Sequence, residues 1–154
     1  MVGTIVNRSV PSASVIPVLA YEDVAEACDW LAKAFGFKVR LRIGDHRAQL
    51  VFGDGAVIVT ARDKAALDAG AIFSGGASRA AMVRHSVHVR VDDAKRHYEH
   101  AMESGARVLQ PPTDYPYGER QYTALDLGGH LWTFSESIAD VDPASWGATS
   151  IDIS

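Results

Sequence analysis

The chain has 154 residues, of which 47% are hydrophobic and 22% charged, with a formal net charge of −4. That length suits one compact domain or two small modules sharing a core, and the mild negative charge carries no footprint for a nucleic-acid partner. No run approaches the roughly twenty apolar residues of a membrane span, the first residues lack a signal-peptide plan, and the lone Cys28 cannot form an internal disulfide; a cytoplasmic protein with no membrane partner is expected.

Residues 1–13 read as a loose leader. Ser14 to Leu19 is β-branched and apolar enough for a strand, with Pro17 marking an edge or a bulge. In DVAEACDWLAKAFGF the residues Val24, Ala27, Cys28, Leu31, Ala34 and Phe35 share one helical stripe, with Asp23 as N-cap and Gly36 as C-cap. Cys28 on that stripe reads as a buried thiol. KVRLRI alternates, HRAQLVF alternates less cleanly, Gly-Asp-Gly at 53–55 makes a turn, and AVIVT follows. Residues 61–84 change character, with a short helix around Asp63 to Leu67 and a Ser-Gly-Gly-Ala-Ser run at 74–78, and read as a linker. The plan then recurs over 85–136: strand HSVHVRV, a helix DAKRHYEHAMESGA with Ala94, His97, Tyr98, Ala101 and Met102 on one face, and strands near Arg107 to Leu109, Arg120 to Leu125 and Leu131 to Phe134. PPTDYPYGE reads as an ordered loop able to fold over a cleft. The tail, 137–154, holds Pro143 and Trp146 without a readable period.

The strand, Asp-capped helix and glycine stop are thus written twice, about seventy residues apart, over 14–60 and 85–136. Each module reads as a strand, a helix and three strands, and two equivalent modules imply a pseudo-twofold cleft between them, with chemistry at matched positions. The segments VLAYEDVAEACDWLAKAFGF, HVRVDDAKRHYEHAMESGA and DLGGHLWTF together resemble the vicinal oxygen chelate superfamily, which includes glyoxalases, extradiol dioxygenases, fosfomycin-inactivating enzymes and bleomycin-resistance proteins. The resemblance spans about residues 14–135. It implies the glyoxalase/bleomycin-resistance fold, an α+β arrangement of two βαβββ modules whose curved mixed sheets enclose a cleft, and a homodimer, and in many members a divalent metal held on the first and last strands of the modules.

Aligned with that pattern, the ligand positions read Ile16, Val59, Ser86 and Thr133, and none of these is a usual metal ligand. The resemblance then implies the metal-free binding branch, with no cofactor. Strand alternation places Ser86, His88 and Arg90 on the cleft side of their strand, opposite Val87, Val89 and Val91, and places Arg47, Gln49 and Val51 opposite Ala48, Leu50 and Phe52. On this reading Gln49, Ser86, His88 and Thr133 orient a ligand, Arg47 and Arg90 stand at the rim, Ile16 and Val59 form an apolar floor, and Tyr115, Tyr117 and Arg120 belong to a lid. No inward carboxylate accompanies His88. His85, His97, His100 and His130 read as structural or solvated, and the glycines lack phosphate-loop spacing. The expected function is stoichiometric capture of a small hydrophobic or aromatic compound, an antibiotic or toxic metabolite. The alternatives are a metal-dependent lyase or dioxygenase with displaced ligands, a metal-free enzyme using His88 as acid or base, and an assembly module.

Overall fold

Aspartates start both helices for the same reason. A carboxylate at the N-cap accepts an amide that has no partner inside the helix. Asp23 accepts from the Glu26 amide and Asp93 from the Arg96 amide, each at 3.0 Å. The computed structural model describes residues 5–62 and 85–152, which fall in two units, residues 1–82 and 83–154.

In the first unit, β1 (Val18–Tyr21) leads into α1 (Val24–Trp30), whose last turns widen into a π-helical segment, Leu31–Phe35, before Gly36 stops it at φ +86°. β2 (Lys38–Ile43), β3 (Arg47–Phe52) and β4 (Gly55–Ala61) follow. The sheet order is β1-β4-β3-β2, with β1 parallel to β4 and the rest antiparallel. The second unit repeats the plan with β5 (Val87–Arg90), α2 (Ala94–Glu103), β6 (Arg107–Tyr115), β7 (Glu119–Leu125) and β8 (Leu131–Ser137), in the order β5-β8-β7-β6. The fold is α+β, built from two βαβββ units. A 3₁₀ turn, Pro143–Trp146, follows.

Each sheet buries one face under its helix. In the first unit Leu19, Tyr21, Ala48, Leu50, Val57 and Val59 are buried, as is the whole α1 stripe of Val24, Ala27, Cys28, Leu31, Ala34 and Phe35. In the second, Tyr122, Ala124, Trp132 and Phe134 lie buried with Ala94 and Ala101 of α2, while Met102 is 49% exposed and off the expected stripe. Each large side chain fully buried here stabilises by about 1.5–3 kcal/mol. Behind Trp132, the buried Asp126 carboxylate ties the β7–β8 turn, accepting from the amides of Gly128 and His130, both at 2.9 Å, and from the indole Nε1 at 3.0 Å.

Several expectations shift. The first strand starts at Val18 instead of Ser14, leaving Ile16 and Pro17 ahead of it, and the Pro17 carbonyl accepts from the Ile58 amide at 2.9 Å. PPTDYPYGE is no inserted loop. β6 runs on to Tyr115 and turns into β7 at Glu119, because β6 is an edge strand whose register shifts between Val108 and Thr113 accommodate Pro111 and Pro112. The leader is not loose where it is described: residues 5–13 include the buried Pro11 and are tied to β2 and β3. The short helix expected at Asp63 to Leu67 and the run at 74–78 lie outside the described residues.

Candidate functional site

The face of the second sheet turned away from α2, its far face, carries a connected set of polar and aromatic side chains. Cross-strand partners share a face, so the pairings Arg90 with Ser135, His88 with Thr133, Gln121 with Ser135, Thr123 with Thr133 and Tyr115 with Glu119 put these residues together, opposite Tyr122, Trp132 and Phe134. Ser135 is 1% exposed and sits at the centre. Its Oγ accepts from Gln121 Nε2 at 3.1 Å and donates to Glu119 Oε1 at 2.7 Å. Tyr117 in turn donates to Gln121 Oε1 at 3.2 Å, and Arg90 donates to Ser137 Oγ at 2.6 Å. Hydrogen bonding from Ser137 and Ser135, with the charges of Arg90 and His88 nearby, holds the Glu119 carboxyl below the usual range. The acid stays ionised and can accept a further hydrogen bond.

At the hairpin end this polar chain becomes aromatic. The Tyr115 and Tyr117 rings stack 9° from parallel with centroids 5.4 Å apart, and Trp146 of the tail approaches Tyr117 at 5.2 Å. Gln110 Nε2 donates to the Tyr115 hydroxyl at 2.9 Å. Both phenols are therefore fixed by glutamines and their rings form one shelf. The tail reaches it because Ile138 donates to the Gly118 carbonyl at 2.8 Å across the β6–β7 turn.

The expected site residues fall into distinct places. His88, Arg90 and Thr133 lie on the far face of the second sheet, and Tyr115 lies there too, with Tyr117 in the turn beside it. Ser86 is exposed and precedes β5. Arg120 has the opposite parity to Glu119 and Gln121: it pairs with Glu136 and Asp114 and makes a two-pronged ion pair with the Asp114 carboxylate, at 2.7 and 3.1 Å. It therefore points away from the tyrosine shelf. Val59 is a second correction. Pairing with Leu19 and Ala48 puts it under α1, fully buried, so Ile58 and Thr60 take the far face. Ile16 is half-buried ahead of β1, and Arg47 is half-buried on the far face of the first sheet.

Gln49 is on that far face too, but its amide is engaged inside the first unit. It is 4% exposed, donates to the Ser9 carbonyl at 2.9 Å and accepts from Arg40. The residues the sequence reading missed are Glu119, Gln121, Ser135, Gln110 and Trp146. The alternation of Glu119, Gln121 and Thr123 signals the first two once β7 is started at Glu119.

A divalent metal centre needs about three convergent imidazole or carboxylate ligands. Among the described residues no group of three or more His, Cys, Asp or Glu side chains is placed to hold one. On the far face of the second sheet the donors of that kind are the exposed His88 and the serine-bound Glu119. This donor set does not fit the metal centre common in the superfamily.

A tandem βαβββ repeat with a polar and aromatic far face defines the chain as a protein of the glyoxalase-like α+β class. It belongs to the Glyoxalase/Bleomycin resistance protein/Dioxygenase superfamily, whose family model matches residues 14–134. The solved structure of TioX from Micromonospora sp. ML1 is 34% identical, with a TM-score of 0.64 over 82% of this chain and 99% of that one. Two more distant structures share the fold. A glyoxalase/bleomycin resistance protein/dioxygenase family enzyme from Burkholderia phytofirmans PsJN is 18% identical (TM-score 0.65, 79% of this chain, 96% of that one). A glyoxalase-related enzyme from Fulvimarina pelagi is 16% identical (TM-score 0.64, 81% and 88%). No curated protein matches the chain in sequence. No helix among the described residues is long and apolar enough to cross a membrane.

Proposed function

We propose that the protein captures a small aromatic or hydrophobic compound, an antibiotic or toxic metabolite, without a metal and without breaking a bond. The observation that carries this reading is the Tyr115–Tyr117–Trp146 shelf joined through Gln121 to Ser135 and the ionised Glu119. A planar ring lies on the shelf while its polar edge meets the Gln121 and Glu119 end, the combination of apolar lining and a few directional groups that small-molecule sites use. Apolar burial at about 25 cal/mol per Å² supplies most of the affinity, and the polar groups set orientation. A family grouping that joins bleomycin-resistance proteins with glyoxalases and dioxygenases supports capture as a use of this fold. The proposed working form is a cytoplasmic homodimer, to be checked by light scattering and cell fractionation.

Thermal-shift and native mass spectrometry against a panel of planar antibiotics and aromatic metabolites test the reading, since a ligand bound only by the folded state raises its melting temperature. A hit whose affinity falls at least tenfold on Tyr117→Ala, with the fold intact, is the expected result. Near-stoichiometric Ni, Zn, Mn or Fe in protein purified without chelator or tag, lost on His88→Ala, would overturn it in favour of an enzyme.

A further inference from the structure

We infer that the C-terminal segment 138–148 is a hinged flap beside the tyrosine hairpin, and that it swings out to admit a planar ring between Tyr117 and Trp146 and then closes on it. What enters rests on the capture reading above; the motion rests on how the segment is bonded. Among the described residues, every hydrogen bond made by residues 142–148 closes within that stretch. The Asp142 carboxylate accepts from the Ala144 amide at 3.1 Å, and the Asp142 carbonyl accepts from the Ser145 amide at 2.9 Å and from Ser145 Oγ at 2.7 Å. The Gly147 and Ala148 amides donate to the carbonyls of Ala144 and Pro143 at 3.3 and 3.0 Å. Pro143 opens the turn and Gly147, at φ +95°, ends it. The turn is therefore a self-contained unit whose own bonds persist whether it is docked or not.

A pivot and a ring contact join that unit to the hairpin. At the pivot the Gly118 carbonyl accepts from the Ile138 amide at 2.8 Å and from the Ala139 amide at 3.3 Å. Asp140 and Val141, between pivot and turn, make no hydrogen bond among the described residues, so the backbone there is unrestrained by pairing. The ring contact is looser than the one beside it. Tyr115 and Tyr117 lie 9° from parallel with each phenol tied to a glutamine, whereas Trp146 meets Tyr117 at 52° and is 45% exposed. Pro143 to Gly147 are all exposed. Segments with so few buried contacts open at low cost, and lids of this kind move in microseconds to milliseconds. A ring stacked on both sides needs about 3.5–4.0 Å to each neighbour, hence about 7–8 Å between the Tyr117 and Trp146 centroids. Those centroids stand 5.2 Å apart, so admission requires the turn to swing out by about 2–3 Å. The movement falls to the tail, because the tyrosines sit on a hairpin whose strands are paired up to Tyr115 and Glu119.

The motion is tested without ligand. Full-length protein labelled with 5-fluorotryptophan gives a fluorine resonance for each of Trp30, Trp132 and Trp146, and Trp146→Phe assigns the last. Relaxation dispersion should appear at Trp146 and be absent at the buried Trp132. In Gly118→Ala, where a Cβ crowds the Ala139 carbonyl at the pivot, the Trp146 resonance should move toward its position in a labelled synthetic peptide of residues 138–150. A flat profile together with a resonance unmoved by Gly118→Ala would overturn the inference. Admission is tested by stopped-flow fluorescence with proflavine, a planar fused-ring dye. A flap that bars entry and clamps the bound ring predicts that Gly118→Ala and Trp146→Ala each raise the association rate by about threefold and the dissociation rate by roughly tenfold. A static shelf would lose affinity on Trp146→Ala through dissociation alone. Gly129→Ala, in the β7–β8 turn, should leave both rates unchanged, and Trp146→Ala, which keeps the pivot, covers the case in which Gly118→Ala fails to fold. Association rates equal to wild type in both variants would overturn the flap and leave capture standing. The motion of Trp146 is read in the absence of dye, so a failure of the dye to bind strikes capture and not the flap.

Discussion

Replacing Gly118 with alanine should unlatch the tail from the tyrosine hairpin. Gly118 has φ +85°, and a Cβ placed there would sit 2.5 Å from the Ala139 carbonyl oxygen and 2.9 Å from Val141 Cγ2. Left-handed backbone costs a residue with a Cβ about 1–2 kcal/mol. The contact with Ala139 is to backbone, so relief requires moving the tail, which adds about 1–3 kcal/mol as overpacking does elsewhere. Gly129 is the internal control: its φ is +82°, yet a Cβ there meets nothing within 4 Å. Gly129→Ala should therefore cost only the conformational share of about 1–2 kcal/mol, and Gly118→Ala roughly 2–5 kcal/mol. Urea unfolding followed by tryptophan fluorescence measures both, and the difference isolates the tail contact. Hydrogen exchange at Ile138, whose amide bonds the Gly118 carbonyl, should accelerate in the Gly118 variant alone. Equal costs at the two glycines would refute the reasoning, because the close approach of Ala139 would then carry no energy.

Asp126→Asn should destabilise by about 1–3 kcal/mol, since one of its carboxylate acceptors toward buried donors is replaced by a donor; a smaller loss in a Trp132→Phe background, measured by urea titration, would assign part of that cost to the indole. Glu119 has a folded pKa below its unfolded value of about 4.3. The stability it contributes is therefore fully present above that unfolded value and is lost as pH falls through the folded one. A carboxyl NMR titration should show the depressed value, Ser135→Ala should raise it, and an unchanged midpoint in that variant would deny the Ser135 bond its role. Cys28 lies buried in α1, and burial pushes its thiol up, so a thiol reagent should modify it at neutral pH only at the rate of unfolding; rapid labelling of the native protein would contradict the packing.

The repeat, both N-capped helices and the buried α1 stripe were legible because each rests on local chemistry: a capping carboxylate, a glycine in left-handed backbone, and a 3.6-residue apolar period. Site parity was harder. In the second unit Val87, Val89, Trp132 and Phe134 are large and apolar while Ser86, His88, Arg90, Thr133 and Ser135 beside them are polar, so alternation alone identifies the face carrying His88 and Thr133. β4 has no such contrast. Val57, Ile58 and Val59 are apolar in succession, and only the pairing of Leu19 with Val59 shows which of them faces α1. Matching Val59 with Thr133 by position in the repeat was therefore off by one residue, and in a strand one residue exchanges the faces. Glu119 was hidden for another reason: prolines and a glycine before it read as loop, and the edge position that lets β6 carry Pro111 and Pro112 is a property of the sheet, invisible in the segment itself.

Equivalent strands in the two modules carry the same fold and different chemistry. Val59 and Phe134 pair with Leu19 and Val89, each four residues before its helix-capping aspartate, so Thr60 and Ser135 occupy the same place on their far faces. Ser135 is bonded on both sides, to Gln121 and Glu119, and organises a network; Thr60 is buried with no partner. The difference follows from what β3 and β7 offer beside them. At the Ser135 level β7 supplies a glutamine and, at its start, a carboxylate, whereas β3 supplies Arg47 opposite Thr60 and directs Gln49 to the N-terminal segment. Duplication of a βαβββ unit thus fixes where hydroxyls stand, and the neighbouring strand decides whether such a hydroxyl is bonded inside the protein, as Ser135 is, or buried without a partner, as Thr60 is.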